Sequence, residues 1–191
     1  LSERHCLSEV TGMDDYMGLS ANTLVGGYQK KYLLVENAVP LVNEFLTKGT
    51  SGNMRQDMKV VRYDSYGNIL EYCTSSGTHT VLLWSYCYQC PIMEIVGATY
   101  DKVCALSPTI GDIGSKATLT AKELKELYDF VVKGTKAHVT AYLYNPWYKV
   151  SEVILPNGNI NYYEYDAFGR LVSEKDLDAN LLTIYKYNYR P

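Results

Sequence analysis

The sequence lacks the features that mark several common functional classes. Its 191 residues carry a formal net charge of -3 at pH 7, with charged residues at 20 %. This is not the basic balance that attracts nucleic acid or an anionic membrane. There is also no run of about 18 apolar residues, the length that a membrane-spanning helix requires. We therefore expect neither a nucleic-acid partner nor a membrane-spanning segment.

Catalytic groupings are also missing. The sequence has no GxSxG or HExxH motif. Its three histidines, His5, His79 and His138, lie in unrelated contexts, and the adjacent acids Asp14 and Asp15 fall in a predicted loop. We expect a protein that is not an enzyme and that needs neither a cofactor nor a metal.

The number of cysteines is odd, so at least one thiol is unpaired within the chain. The CYQC stretch (87–90) has CxxC spacing, but no second CxxC or histidine pair accompanies it. It lies in a stretch predicted to be a strand, where residues three apart point to opposite faces. We therefore expect free thiols. The five cysteines are Cys6, Cys73, Cys87, Cys90 and Cys104.

Tyrosine, in contrast, is abundant, with 19 copies against 3 Phe and 2 Trp. Tyrosine favours strands whose face is half wet, which predicts side-chain ladders across a sheet. Much of it lies in a tetrad of the form aromatic-x-Tyr-Asp/Asn, found as YLYN (142–145), YEYD (163–166) and YKYN (185–188). Weaker copies are VRYD (61–64) and WSYC (84–87). The copies recur every 21 to 23 residues, except for one step of 58 that holds an insertion of about 37 residues.

Each tetrad leads into a predicted tight turn. In DSYG (64–67) and DAFG (166–169), Asp stands at the first turn position and Gly at the fourth, where φ is positive. LPNG (155–158) supplies the next turn of the unit. NPWY (145–148) has Tyr148 in the glycine position, and DLDAN (176–180) has no glycine, so both predict looser or differently shaped turns. A unit is thus a strand, a turn, a return strand and a second turn.

The insertion follows a helical pattern. TLTAKELKELYDFVVKG (118–134) begins with Thr120 and Glu123 at capping-box spacing and ends with Lys133-Gly134 as a stop signal. ATYDKVCAL (98–106) predicts a shorter helix, and SPTIGDIGSK (107–116) predicts a loop between the two.

The fold class is therefore mainly β: a twisted antiparallel sheet of repeated hairpins with a two-helix insertion at about 98–134, α+β overall. We expect residues 58–191 to form the hairpin domain. Residues 1–57 are predicted to be strands that join or cap the sheet. Unpaired edge strands predict a protein partner at the sheet edge or a homodimer.

The repeat resembles a known family. YYEYDAFGRL (162–171) and YDSYGNI (63–69) resemble the YD repeat of RHS-repeat proteins. The longer arrangement, with the helical insertion between residues 83–103 and 142–171, is similar to large RHS-repeat proteins of Bacteroidetes-type bacteria. The resemblance covers roughly residues 58–191 and implies hairpin strips that wind into a hollow shell. The family's conserved core segment and toxin domain have no counterpart in the sequence, so we expect one arc of such a wall.

Two functions follow as expectations. The first is a non-catalytic structural or interaction module of an extracellular or cell-surface assembly, a location that the resemblance implies. No signal peptide is visible, so a removed signal and a longer parent protein both stay open. The alternative is a carbohydrate-binding module, or less favoured a carbohydrate-active enzyme. Its candidate sugar contacts are Trp147 and Tyr148 at a turn tip and Trp84 on a predicted strand.

Overall fold

The computed structural model of the chain describes residues 11–17, 23–33 and 40–187. It divides into two compact units, Leu1–Thr80 and Val81–Pro191. Both are built mainly from antiparallel strands, which confirms the mainly β fold class with helices. Within the described ranges, each helix is too short or too polar to cross a lipid bilayer.

The first unit is a run of antiparallel strands, each paired with its neighbour in sequence. Leu46 and Val60 are its buried apolar residues. Val60 lies in the strand Met54–Tyr63, where successive side chains point to opposite faces of the sheet. The strands are β1 (Gly12–Met17), β2 (Thr23–Leu33), β3 (Leu41–Lys48), β4 (Met54–Tyr63) and β5 (Ile69–Thr74).

Asp14 and Asp15 were predicted in a loop, and this prediction is wrong. They lie in β1, which pairs with β2 through Asp14↔Gly27 and Asp15↔Gly26. The carboxylate of Asp14 is 2.6 Å from the ammonium of Lys48. The pairing of β1 with a long neighbouring strand, which sequence periodicity does not show, determines this conformation.

The second unit continues the alternation of strands and turns. It contains most of β6, which crosses the division, and six further strands paired in sequence order from β7 onwards. The strands are β6 (His79–Ser85), β7 (Cys90–Val96), β8 (His138–Tyr144), β9 (Val150–Ile154), β10 (Ile160–Tyr165), β11 (Leu171–Lys175) and β12 (Leu181–Ile184). The helical insertion lies between β7 and β8, which nevertheless pair directly.

The main hydrophobic core lies in this unit, under the insertion. Helix α1 (Tyr100–Cys104) and helix α2 (Ala121–Thr135) cover one face of the sheet. Leu124, Tyr128 and Val131, spaced for one helix face, are buried against strand residues such as Ile92 and Ile154. The hydroxyl of Tyr128 also donates to the carbonyl of Leu155, 2.8 Å away. This bond holds α2 to the turn that follows β9.

The start of α2 is as predicted, but its end is not. Thr120 accepts from the Glu123 N–H at 3.2 Å, and the Glu123 carboxylate accepts from the Thr120 N–H at 2.9 Å. The helix continues through Gly134 and ends at Thr135. A Cβ at Gly134 would lie 2.5 Å from the Leu106 side chain, so glycine serves close packing there instead of ending the helix.

The segment between the helices was predicted to be a loop, and this too is wrong. Pro108–Ser115 forms a 3₁₀ helix, capped by the Ser107 hydroxyl, which accepts from the Thr109 N–H. Ile110 and Gly114 are buried in it. Burial of Ile110 in the main core orders a glycine-containing segment whose local sequence favours a loop.

The CYQC stretch was predicted to be strand, and this is wrong for its first three residues, 87–89, which lie in a turn. β6 ends at Ser85 and β7 begins at Cys90, and the turn between them has three consecutive residues in the left-handed region: Tyr86 (φ 54), Cys87 (φ 55) and Tyr88 (φ 63). For residues other than glycine this costs about 1–2 kcal/mol each. Two bonds to the insertion offset the cost, from Cys87 N–H to the Lys116 carbonyl and from Tyr88 N–H to the Gly114 carbonyl, both 2.9 Å.

Candidate functional site

The tetrad tyrosines share one tertiary contact. The third residue of four tetrads donates its hydroxyl to a main-chain carbonyl at or next to the start of the preceding strand. We call these bonds the tyrosine clasps. They are Tyr63 to Val42, Tyr144 to Pro91, Tyr165 to Val150 and Tyr187 to Leu171, with O···O distances of 2.8 Å in the last three. Three of the clasps fasten the end of one strand to the start of its neighbour, and Tyr187 makes the same bond from a position just beyond β12.

A β-bulge follows each well-formed tetrad at the same place. Tyr63 pairs with Ile69, Tyr144 with Val150 and Tyr165 with Leu171, in every case six residues further along the chain. In each pair the return strand has one extra residue immediately after this position. Bulges of this kind increase the local twist and re-aim the chain. The repeat seen in the sequence is therefore a repeat of conformation in these three copies.

The tetrad acid or amide closes the turn, as predicted. Oδ1 of Asp166 accepts from the N–H groups of Phe168 and Arg170, both at 2.9 Å. Oδ1 of Asn145 does the same for Trp147 and Lys149, at 2.9 and 3.1 Å. Asp64 and Asp176 make the equivalent pairs of bonds in their turns. These side chains are thereby engaged as turn formers.

The fourth turn position takes positive φ whether or not it is glycine. Gly67 and Gly169 are at φ 89 and 74, as predicted. Tyr148 (φ 57) and Ala179 (φ 62) occupy the same position in the two turns without glycine there. The same main-chain bond, from the fourth residue to the first, closes both kinds of turn. The Gly169 N–H donates to the Asp166 carbonyl at 2.8 Å, and the Ala179 N–H donates to the Asp176 carbonyl at 3.0 Å. The prediction of looser or differently shaped turns is therefore wrong: Tyr148 and Ala179 adopt the strained left-handed backbone in turns of the same form.

Two of the five tetrads depart from this pattern. In WSYC, Tyr86 lies in the left-handed turn, and its hydroxyl meets the main chain of Tyr144 instead of forming a clasp. In YKYN, the N–H of Tyr185 still donates to the Val172 carbonyl of β11 at 3.0 Å, but residues 185–187 lie beyond the end of β12. Tyr187 keeps its clasp, and Asn188 lies outside the described residues. The prediction of equivalent strand segments thus holds for 61–64, 142–145 and 163–166 only.

Burial and charge set the ionisation of these groups. Desolvation by burial raises the pKa of the clasp tyrosines Tyr63, Tyr144 and Tyr165, so they stay protonated donors. The hydrogen bond from the Arg170 side chain, followed by its N–H, lowers the pKa of Asp166. Hydrogen bonding from Asn180 lowers the pKa of Asp176. The carboxylates of Asp166 and Asp176 are thus held as anions.

The third position of three turns carries an exposed aromatic ring. Tyr66, Trp147 and Phe168 are 68 %, 70 % and 81 % exposed. Of these, only Trp147 was singled out from the sequence. The spacing Asp/Asn-x-aromatic, two residues after the tetrad ends, was the signal for the other two. In the second unit, Trp147 and Phe168 follow β8 and β10, which run in the same direction. Both turn tips therefore lie on the side of the sheet where these two strands end.

The three predicted sugar contacts do not form one platform. Tyr148 is half exposed, and its ring lies edge-on to Tyr86 at 6.3 Å between centroids. Trp84 is half buried in β6, on the face opposite to Leu83 and Ser85. Tyr86, two residues after Trp84, is buried in the core because the chain turns at that residue.

Basic side chains lie between the aromatic tips. The Lys149 ammonium is 5.5 Å from the Tyr165 ring centroid. The Arg170 guanidinium lies over the rings of Phe168 and Tyr187, at 5.3 and 4.3 Å, and pairs with Asp166 at 2.6 Å. The surface at these strand ends of the second unit therefore carries both aromatic rings and basic side chains.

The described ranges contain no group of three or more His, Cys, Asp or Glu side chains that could hold a metal ion. Four cysteines in these ranges are free: Cys73, Cys87, Cys90 and Cys104. Burial raises the pKa of Cys90, so this thiol is held protonated. Cys6 lies outside the described residues.

Comparison with known proteins gives a limited likeness. No protein-family model matches the chain, and no curated protein matches it. A solved structure described as TcdB2-TccC3 is similar with a TM-score of 0.43 and 8 % identity, over 85 % of this chain and 8 % of that chain. A TcdB2-TccC3-Cdc42 structure gives 0.42 and 9 %, over 79 % and 7 %. The chain spans less than a tenth of the length of these structures.

Proposed function

We propose that the chain is a non-catalytic structural module that builds a β-sheet wall by repeating one hairpin unit. The observation that carries this proposal is the tyrosine clasp, which recurs with the same bulge and the same turn after β4, β8 and β10. The polar groups of the tetrad are engaged in fastening one strand to the next. Such a unit can be added along a sheet with little dependence on what lies further away.

Insertion of a whole unit tests this function. We would place a second copy of residues 145–165 between Tyr165 and Asp166, which adds two strands and leaves each later clasp with its own partner strand. The expected product is folded, unfolds cooperatively and gains strand signal in circular dichroism in proportion to its length. A wall-building module requires this result, because its units bind mainly to their neighbours.

A half unit provides the matched control. A second copy of residues 155–165 at the same site adds one strand and reverses the direction of every strand that follows. The first Tyr165 is then followed by Leu155 of the copy instead of Asp166, so that tetrad loses its turn carboxylate and the bulge that follows it. We expect the half-unit protein to be clearly less stable than the whole-unit protein. Equal stability of the two, or loss of folding in the whole-unit protein alone, would contradict the proposal.

Carbohydrate binding is the second candidate, and the exposed Trp147 ring favours it. A ring that is 70 % exposed at a turn tip can lie against the C–H face of a sugar. The test is a glycan array with the parent chain and Trp147→Ala, with Phe168→Ala as the control at the equivalent tip. If the parent binds a glycan and Trp147→Ala binds it equally well, this role is removed.

Three expectations stay predictions: the resemblance to RHS-repeat proteins of the Bacteroidetes type, the extracellular or cell-surface location and the lack of enzymatic activity. Secretion of the parent protein, measured by fractionation of the source cells, tests the location.

A further inference from the structure

One turn of the second unit joins an asparagine directly to a glycine. Asn157-Gly158, in the turn between β9 and β10, is the only Asn-Gly pair in the sequence. The Asn157 side chain is exposed. In such a pair an asparagine side chain reacts most readily with its own main chain, because glycine has no Cβ to hinder the approach of its nitrogen. Neither residue is part of a clasp.

The folded turn engages both reacting groups in hydrogen bonds. The Gly158 N–H donates to the Leu155 carbonyl at 2.8 Å. Oδ1 of Asn157 accepts from the Asn159 N–H at 3.0 Å. The Leu155 N–H donates to the Asn159 carbonyl at 2.8 Å and closes the base of the turn. Attack by the Gly158 nitrogen requires that this N–H lose its proton to solvent and that the Asn157 side chain rotate, so these bonds must open first.

A side chain of the helical insertion stabilises the same turn. Tyr128 of α2 donates its hydroxyl to the Leu155 carbonyl at 2.8 Å. That carbonyl is the acceptor that the Gly158 N–H also uses. Because Tyr128 is buried in the main core, its hydroxyl holds the Leu155 carbonyl in place for Gly158. Helix α2 therefore restrains the chemistry of Asn157 from across the fold.

We propose that Asn157 is a site of spontaneous deamidation and that the turn and α2 together set its rate. In the open turn, the Gly158 nitrogen loses its proton to solvent and forms a bond to Cγ of Asn157. The bond from Cγ to the amide nitrogen breaks, and that nitrogen takes a proton from solvent and leaves as ammonia. Water then opens the succinimide at either carbonyl, which gives aspartate or isoaspartate. Both products add one negative charge, and isoaspartate also adds a methylene group to the main chain.

The product should weaken the attachment of α2 to the sheet. Isoaspartate at position 157 lengthens the main chain between Leu155 and Asn159, so the bonds that close the turn no longer match its length. The Leu155 carbonyl is then less well placed for the Tyr128 hydroxyl. Deamidation therefore loosens the insertion as the protein ages. This inference does not depend on the wall-building proposal.

Peptide mass spectrometry of the full chain, incubated in mildly alkaline buffer, tests this site. The tryptic peptide 150–170 contains both Asn157 and Asn159, which fragmentation distinguishes. Asn159 is the internal control, since the β-branched Ile160 follows it and hinders the attack. We expect deamidation at Asn157, about tenfold or more slower in the folded chain than in the chain unfolded in guanidinium chloride. Equal rates in the two states, faster reaction at Asn159, or no reaction at Asn157 in the unfolded chain would overturn the inference.

Two tyrosine variants separate opening of this turn from unfolding of the whole chain. Tyr128→Phe removes the bond to Leu155 and should raise the rate in the folded chain about fivefold, the factor that one lost hydrogen bond gives. Tyr165→Phe is the matched control, since it removes a bond of the same kind, to Val150, at the opposite end of the same hairpin. It should leave the rate unchanged. Equal acceleration by both variants, or none by Tyr128→Phe, overturns the control by the turn, and neither result bears on the whole-unit insertion.

Discussion

The hydroxyl of Tyr165, at the end of β10, donates to the carbonyl of Val150, at the start of β9, across 2.8 Å. The acceptor is 15 residues earlier in the chain. This bond connects the end of one hairpin strand to the beginning of the other, so the hairpin is fixed at its open end as well as at its turn. The same arrangement recurs at Tyr63, Tyr144 and Tyr187. It gives tyrosine a role that phenylalanine cannot fill.

Removal of one clasp should therefore destabilise the chain measurably. Tyr165→Phe keeps the ring and removes the hydroxyl, and we expect a loss of about 1 kcal/mol in the free energy of unfolding. Tyr162→Phe in the same strand is the control, since Tyr162 is also half-buried but is not a clasp residue. It should change stability by less than about 0.5 kcal/mol. Urea unfolding measures both, and equal effects would show that the clasp contributes nothing specific.

The turn at 176–180 stores strain that glycine should relieve. Ala179 is at φ 62, where a Cβ is unfavourable. Ala179→Gly should raise the melting temperature, with a gain of about 0.5–1 kcal/mol after the added unfolded-state entropy of glycine is deducted. Ala167→Gly, at a turn position without positive φ, should lower it instead. Two changes of the same sign would mean that backbone strain does not decide the effect.

Asp166 should make folding sensitive to acid. The Arg170 side chain lowers the pKa of this carboxyl below its ordinary 3.8. A folded-state pKa that lies below the unfolded one gives stability that is complete above the unfolded pKa and is lost as the pH falls through the folded pKa. Asp166→Asn keeps the accepting oxygen but does not titrate, so its stability should fall less between pH values of about 5 and 2.

The equivalent turn supplies the control in the opposite direction. Asn145 occupies the position of Asp166, with Lys149 at the position of Arg170. Asn145→Asp should therefore add an acid-dependent contribution that the parent lacks at this turn. If Asp166→Asn and the parent lose the same stability on acidification, the ion pair at the turn has no energetic role.

The buried clasps should fail in alkali. Burial raises the pKa of Tyr144 well above its ordinary 10.0. The folded state then holds the proton more tightly than the unfolded state, so this contribution is complete below a pH of about 10 and is lost as the pH rises through the folded pKa. Tyr144→Phe should flatten the decline of unfolding free energy above that pH. An unchanged slope in Tyr144→Phe would assign the decline to other groups such as lysines.

Local chemistry explains which features the sequence predicts. Asp166 and Gly169 define their turn because the bonds that close it span four residues, and the capping box of α2 is equally local. The clasps could not be predicted, since the donor and acceptor depend on strand register. Similarly, the left-handed turn at Tyr86 is unfavourable locally and forms because carbonyls of Gly114 and Lys116 bind it. The insertion that supplies those carbonyls is remote in sequence.

The position of the helical insertion has a consequence of its own. β7 and β8 keep an uninterrupted register, from Met93↔Ala141 to Val96↔His138, even though some forty residues separate them. The end of this hairpin is therefore an insertion site: a foreign segment can be placed there while β7 and β8 keep their pairing register. Such a fold offers a place where new binding elements can be grafted onto a rigid framework without redesign of the framework.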